Sequence, residues 1–270
     1  MARARYALRD DATGRRLARW VDLDGFFVGT STAEQWWEQT GEEPPEQLEI
    51  KVDGWLPDPA LLSFRDEEDG SFELGDVLVD VLDVDEVSLG AYDLWGAALE
   101  VDEQGRGTLW ANASMAPHVS AREVWGRWRE RLPDTSGQWA ALPAGERDGW
   151  VEAAQLHYFH QAGERRAWPM PEGRITLHGE HVVDLASFFC AVGEAFNGPG
   201  GYFGSNLTAL ADCLANLDRE PGQPVRLQWT DIAVAEQGLA RRVETSGGWK
   251  PIFDLVMEVL DQYNVEVLRR

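Results

Sequence analysis

Cysteine is nearly absent: Cys190 and Cys213 are the only two in 270 residues. They have neither the count of a disulfide scaffold nor the paired spacing of a zinc site, so a reducing cytoplasm is the expected compartment. Basic residues are scarce too, 24 Lys and Arg against 47 Asp and Glu, for a net charge of −23. Phosphate binding needs clustered Lys and Arg, so nucleic acid is not an expected partner, and the same charge argues against an anionic membrane surface. No apolar run approaches the ~20 residues of a membrane span. The opening stretch MARARYALRDD leads into charge, so no signal peptide is expected. Catalytic signatures are missing as well: there is no G-x-S-x-G, no Walker loop and no Cys–His pairing. No enzyme activity and no cofactor are expected.

What is present is core material. Hydrophobic residues make up 44% of the chain and there are 13 tryptophans, ample for a packed interior. The acid surplus has two readings, plain solubility or long-range attraction of a basic protein partner. The stretch AGERRAWPMPEGR, residues 162–174, carries two prolines and two glycines between charges and reads as a linker. The expected organisation is an acidic, Trp-rich domain over 1–165, a linker at 166–173 and a second domain over 174–270. Residues 173–270 hold 13 acids and 8 bases, and only two of the tryptophans, which sets the two parts apart.

The first part reads as α+β. ARYALRDDATGRRLARWVDL predicts two strands around a turn at Asp10–Gly14, and DVLVDVLDV alternates to put Val77, Val79 and Val81 on one face. ALEVDEQGRGTLWANA is a hairpin with its turn near Gln104–Gly107. TGEEPPEQ is a polar loop. Ser120 and Glu123 form a capping-box pattern before a helix marked by Val124, Trp125, Trp128 and Leu132, and a second helix is expected from about Gly145 to Ala162. On that helix His157 and His160 share a face, but a third metal ligand is missing from it, so polar helix surface is expected.

The second part orders as β-α-α-β-α-α-β, an α/β domain with a small parallel sheet packed by helices. RITLHG, PVRLQW and NVEVLRR are its strands. Asp184 caps a helix whose Leu185, Phe188, Phe189, Val192 and Phe196 share a face. PIFDLVMEVLDQY is a helix with proline at its first turn.

GGYFGSNLTALADCLANL, residues 200–217, joins the first two helices. Glycines crowd Tyr202 and Phe203, and Asn206 opens a helix with Leu207, Leu210, Ala211 and Leu214 facing inward. Thr208, Asp212 and Asn216 form the opposite, outward stripe, four residues apart. The glycines of GPGGYFG miss the dinucleotide-binding spacing and follow a helix rather than a strand. Taken alone, Asp212 fits a solvated surface acid as well as a ligand group, and the two aromatics fit packing at a helix start.

This stretch resembles the barstar family, intracellular inhibitors of extracellular ribonucleases. The similarity runs from about Ile175 to Leu268 and is densest in YFGSNLTALADCL. The resemblance implies a three-stranded parallel sheet packed by helices. It also implies a nuclease-contact loop of Tyr202, Phe203, Gly204 and Asn206. Asp212 would be the principal acid, Asn216 and Leu217 the far rim, and Glu258 on a later helix a further contact. Three positions depart from the family: Thr208 where it has a second acid, and Ala211 and Leu217 where it has aromatics. Such changes would weaken binding to a barnase-type enzyme or retune it toward another nuclease. The expected function is a cytoplasmic ribonuclease inhibitor or immunity protein against a basic nuclease toxin. The alternative is an interaction or regulatory module that keeps the fold without inhibiting.

Overall fold

The computed structural model describes residues 3–29, 46–54, 56–66, 70–102, 106–114, 116–163, 168–171, 173–220 and 222–270. Residues 40–45 of the expected loop TGEEPPEQ, the centre of the Gln104–Gly107 turn and part of the 166–173 linker lie outside the described residues, while Glu46 and Gln47 of that loop open a strand instead. Two compact units emerge, the first ending at Leu132 and the second running from Pro133 to Arg270. The expected linker therefore falls inside the second unit. The helix expected near 145–162 belongs by packing to that unit, not to the first.

The first unit is an antiparallel sheet. Its strands are β1 (Tyr6–Asp10), β2 (Arg16–Trp20), β3 (Asp22–Asp24), β4 (Glu46–Asp53), β5 (Leu56–Pro57), β6 (Phe72–Leu82), β7 (Ser88–Val101) and β8 (Gly107–Ala113), ordered β3-β4-β8-β7-β6-β1-β2-β5. The β1–β2 turn is held by the Thr13 amide donating to Asp10 Oδ2 (2.8 Å). Alternation fixes the buried face as expected: Val77, Val79 and Val81 all lie in the core. One α-helix, α1 (Ala121–Glu130), accompanies the sheet, and Trp125 on it donates from Nε1 to the Tyr92 hydroxyl (2.8 Å). The capping box expected at Ser120 does not form. Ser120 has helical backbone angles, its hydroxyl sits 2.7 Å from His118 Nδ1, and the N3 amide of Glu123 donates to the Ser120 carbonyl instead (3.2 Å). Leu132 lies beyond the helix end and is largely exposed.

The second unit opens with two short 3-10 turns and α2 (Arg147–Ala162), followed by β9 (Trp168–Pro169). Then come β10 (Ile175–His178), α3 (Leu185–Asn197), α4 (Leu207–Ala215), β11 (Leu217–Asp218), β12 (Val225–Thr230), α5 (Ile232–Gly238), the hairpin β13 (Arg242–Thr245) with β14 (Gly248–Pro251), α6 (Ile252–Gln262) and β15 (Val265–Arg269). Strands β10, β12 and β15 form the expected three-stranded parallel sheet with β12 in the middle. Val225, Leu227 and Trp229 of β12 are wholly buried. The Asp184 cap of α3 is a full capping box: the Ser187 amide donates to Asp184 Oδ1 (2.7 Å), and the Asp184 amide donates to Ser187 Oγ (2.9 Å). The β13–β14 hairpin was not expected from sequence, and Pro251 sits at the N-cap of α6 rather than inside its first turn.

The segment before β10 is fastened to this core by polar anchors. Glu194 of α3 accepts from the Gly137 amide (2.7 Å) and Trp139 Nε1 (3.1 Å) through one oxygen, and from the Gly200 amide (3.3 Å) through the other. Burial pushes its carboxyl above the ordinary value, against the pull of those three donors. Arg147 donates to the capping carboxylate of Asp184 (3.2 Å) and lies over the Trp139 ring.

Candidate functional site

The site begins where α3 ends. The Gly204 backbone has φ +100°, and a Cβ there would meet the Leu210 amide nitrogen at 2.8 Å, so only glycine lets the loop tuck under α4. Within the loop, Phe203 stacks on Phe196 at 3.8 Å between centroids and 5° between planes. The Tyr202 carbonyl accepts from Asn197 Nδ2 (2.7 Å). Asn206 caps α4, its Oδ1 accepting from the Ala209 amide (2.8 Å). The loop is therefore pinned at both ends.

This pinning has a cost for the expected contact surface. Tyr202 is 4% exposed and Phe203 1%, and Gly204 and Asn206 are buried as well. Burial pushes the Tyr202 hydroxyl well above its ordinary value, opposed by a hydrogen bond with Ser205. The cover on Tyr202 comes from Tyr158 and Phe159 of α2 and Trp168 of β9, with centroids 6.1, 5.6 and 5.8 Å away. None of the three stood out in the sequence as a site residue. The signal was there, since an aromatic pair at the end of a helix and a tryptophan followed by two linker prolines both need something to pack on.

The helix face follows its spacing except at Ala211, which is only half-buried. Leu207, Leu210 and Leu214 point into the core, while Thr208, Asp212 and Asn216 are exposed along the outer stripe. Among the described residues the Asp212 carboxylate accepts no hydrogen bond and joins no ion pair. The Asn216 side chain donates to the Asp212 carbonyl (2.8 Å), closing the helix end. Beneath the stripe, burial and then the Asp212 charge push the Cys213 thiol up to about 12, which keeps it protonated and inert. Leu217 is buried instead of forming an open rim, because β11 pairs with β9, placing Leu217 opposite Trp168. Glu258 is exposed on α6, which packs against α4, and it is paired with Lys250 at 2.6 Å.

Other arrangements offer less. A cleft of about 400 Å³ lies beside Trp139, Arg174, His178, His181 and Glu194, where Arg174 is engaged with Gln228 and Glu194 with three donors. Among the described residues no group of three or more His, Cys, Asp or Glu is placed to hold a metal ion. No helix among them is long and apolar enough to cross a membrane.

Residues 174–266 match the family described as Barstar (barnase inhibitor). The C-terminal part of the chain is a barstar domain. Neither the curated proteins nor the solved structures include a match to this chain. The barstar match starts one residue before the expected Ile175 and stops two short of Leu268, within β15. The three rings that cover Tyr202 lie outside it.

Proposed function

We propose that this protein is an intracellular inhibitor of a basic ribonuclease, occluding the nuclease active site with the outer stripe of α4. The observation that carries this reading is the open Asp212 carboxylate, exposed on a rigid helix of a barstar domain. A carboxylate so presented imitates a phosphate in charge and oxygen geometry, and Arg, Lys and His groups that grip RNA phosphates accept it through charge-assisted hydrogen bonds. No chemistry is required of the inhibitor. The protein's net charge of −23 draws in a basic enzyme from a distance. Tyr202, Phe203, Gly204 and Asn206 then act as the support that fixes the α4 entrance, while Thr208, Asp212 and Asn216 meet the enzyme, with Glu258 at the side.

A second reading is favoured by the burial of Tyr202 and Phe203, which withdraws two rings from the surface. It makes the domain a non-inhibitory interaction or regulatory module. Titrating the protein into RNA hydrolysis by barnase and by other secreted basic ribonucleases separates the two. Stoichiometric loss of cleavage, abolished by Asp212→Ala, supports inhibition. Binding without loss of cleavage replaces it with the second reading.

A further inference from the structure

The rings that bury Tyr202 are themselves only partly enclosed. Phe159 is 50% exposed, and Tyr158 and Trp168 are half-buried. Tyr158 and Trp168 stack face to face, 4.1 Å apart and 10° from parallel. The parallel pairing of β9 with β11 fixes this stack in place, the Trp168 amide donating to the Asn216 carbonyl (2.9 Å). Asn216 is the last residue of the outward stripe, one helical turn from Asp212. An aromatic shelf is thus tied by backbone pairing to the end of α4, next to the residue that closes the stripe of the unpartnered Asp212 carboxylate.

We propose that the partner-binding face is composite: α4 supplies the acid, and the Tyr158–Phe159–Trp168 shelf supplies the aromatic surface that Tyr202 no longer offers. This rests on the inhibitor reading of the acidic stripe. The occupant is the arginine-lined cleft of a basic protein. A guanidinium donates paired hydrogen bonds to a carboxylate and also lies flat on an aromatic ring, so one class of side chain satisfies both halves of the face. A lysine-lined cleft would use only the acid to full effect. RNA itself would be repelled by the charge of the protein.

The shelf has a different sign of effect from a cover that merely hides Tyr202: removing a contact weakens binding, whereas removing a cover tightens it. The test measures affinity of the full-length protein for barnase and for an oligoarginine peptide by titration calorimetry. Phe159→Ala is expected to weaken binding about five- to tenfold, with Phe159→Tyr restoring it. Trp168→Ala is expected to weaken it at least as much, with Trp168→Phe restoring most. Thermal melts check folding, and the half-exposed Phe159 keeps the test sound even if Trp168→Ala unfolds. Unchanged or tighter binding in the Phe159 variant, with Asp212→Ala still weakening, overturns the composite face and leaves the inhibitor reading standing. Weakening by Phe159→Ala with Asp212→Ala silent overturns the reading based on the acid. A wild-type protein that binds neither probe overturns both.

Discussion

Residues 174–266 and the described residues between Pro133 and Pro169 share one compact unit but are held by different means. The barstar domain is organised by a continuous apolar interior, with β12 buried along its inward face, α3 and α6 laid on the sheet and α4 packed on α6. The preceding segment has no sheet of that kind: α2 packs against α3 with Trp150, Val151, Ala153 and Ala154 buried, and individual anchors add Trp139 and Gly137 on Glu194, Arg147 on Asp184, and the ring cluster on Tyr202. The family boundary near residue 174 is thus not the packing boundary, which lies at Pro133. A domain recognised by its motif can recruit its neighbour into the surface that the motif was expected to expose.

The largest effect should come from cutting the chain at each boundary in turn. The family resemblance and the Pro-containing linker imply that a chain beginning at Glu172 melts cooperatively by itself. The packing implies the opposite ranking. Starting at residue 174 removes Trp139, Trp150 and Trp168 and uncovers Tyr202, a loss on the order of 5 kcal/mol at ~25 cal/mol per Å² of apolar area. That is comparable with the whole stability of a small domain, about 5–15 kcal/mol. A chain starting at Pro133 should melt as sharply as the full protein in calorimetry, and one starting at residue 174 should melt far lower. Equal midpoints for the two would make the segment before residue 174 dispensable.

The next effect separates the open stripe from the covered loop. Asp212→Ala should weaken nuclease binding at least about tenfold, because it leaves the enzyme's cations buried without a partner. Thr208→Ala should be close to neutral. Asp212→Asn keeps the shape and removes the charge, so binding as tight as wild type would end the phosphate-mimic explanation. Tyr202→Ala should act chiefly on the melting temperature, since its ring is enclosed and Asn197 holds only its carbonyl.

Charge comes third. Association with a basic nuclease should slow by about tenfold or more as salt rises through physiological strength, where the Debye length is about 8 Å. Dissociation should change less, because close pairs are screened less. Stopped-flow rates indifferent to salt would reduce the acidity of the chain to a matter of solubility.

The sequence was most legible where local rules and burial agree. The Asp184 cap, the α4 stripe and the alternation of Val77, Val79 and Val81 in β6 each follow from spacing, and each is in place. It misled where tertiary contact decides. Ser120 has the residues of a capping box, yet the neighbouring His118 takes its hydroxyl. Leu217 reads as a rim residue until a two-residue strand from fifty positions earlier pairs with it. The rings Tyr158, Phe159 and Trp168 could not be assigned to the site by any motif, because their role is set by what they touch and not by their spacing.

The smallest effect concerns the anchor between the two regions, and its sign is fixed by burial. Glu194 is held above the ordinary carboxyl value, first by desolvation, with its three hydrogen-bond donors pulling the other way. The folded protein therefore binds this proton more tightly than the unfolded chain does. Between the unfolded value and the higher folded one, raising the pH costs stability, and below that window the contribution is fully present. Glu194→Gln keeps a carbonyl oxygen for Gly137 and Trp139 but cannot ionise. The variant should lose this share of the decline in melting temperature above the ordinary carboxyl range, while the rest of the pH profile stays parallel to wild type. An unchanged slope would mean that the carboxylate is satisfied by its donors as well as by water. The coupling between the segment and the α3 end would then be a matter of hydrogen bonds alone.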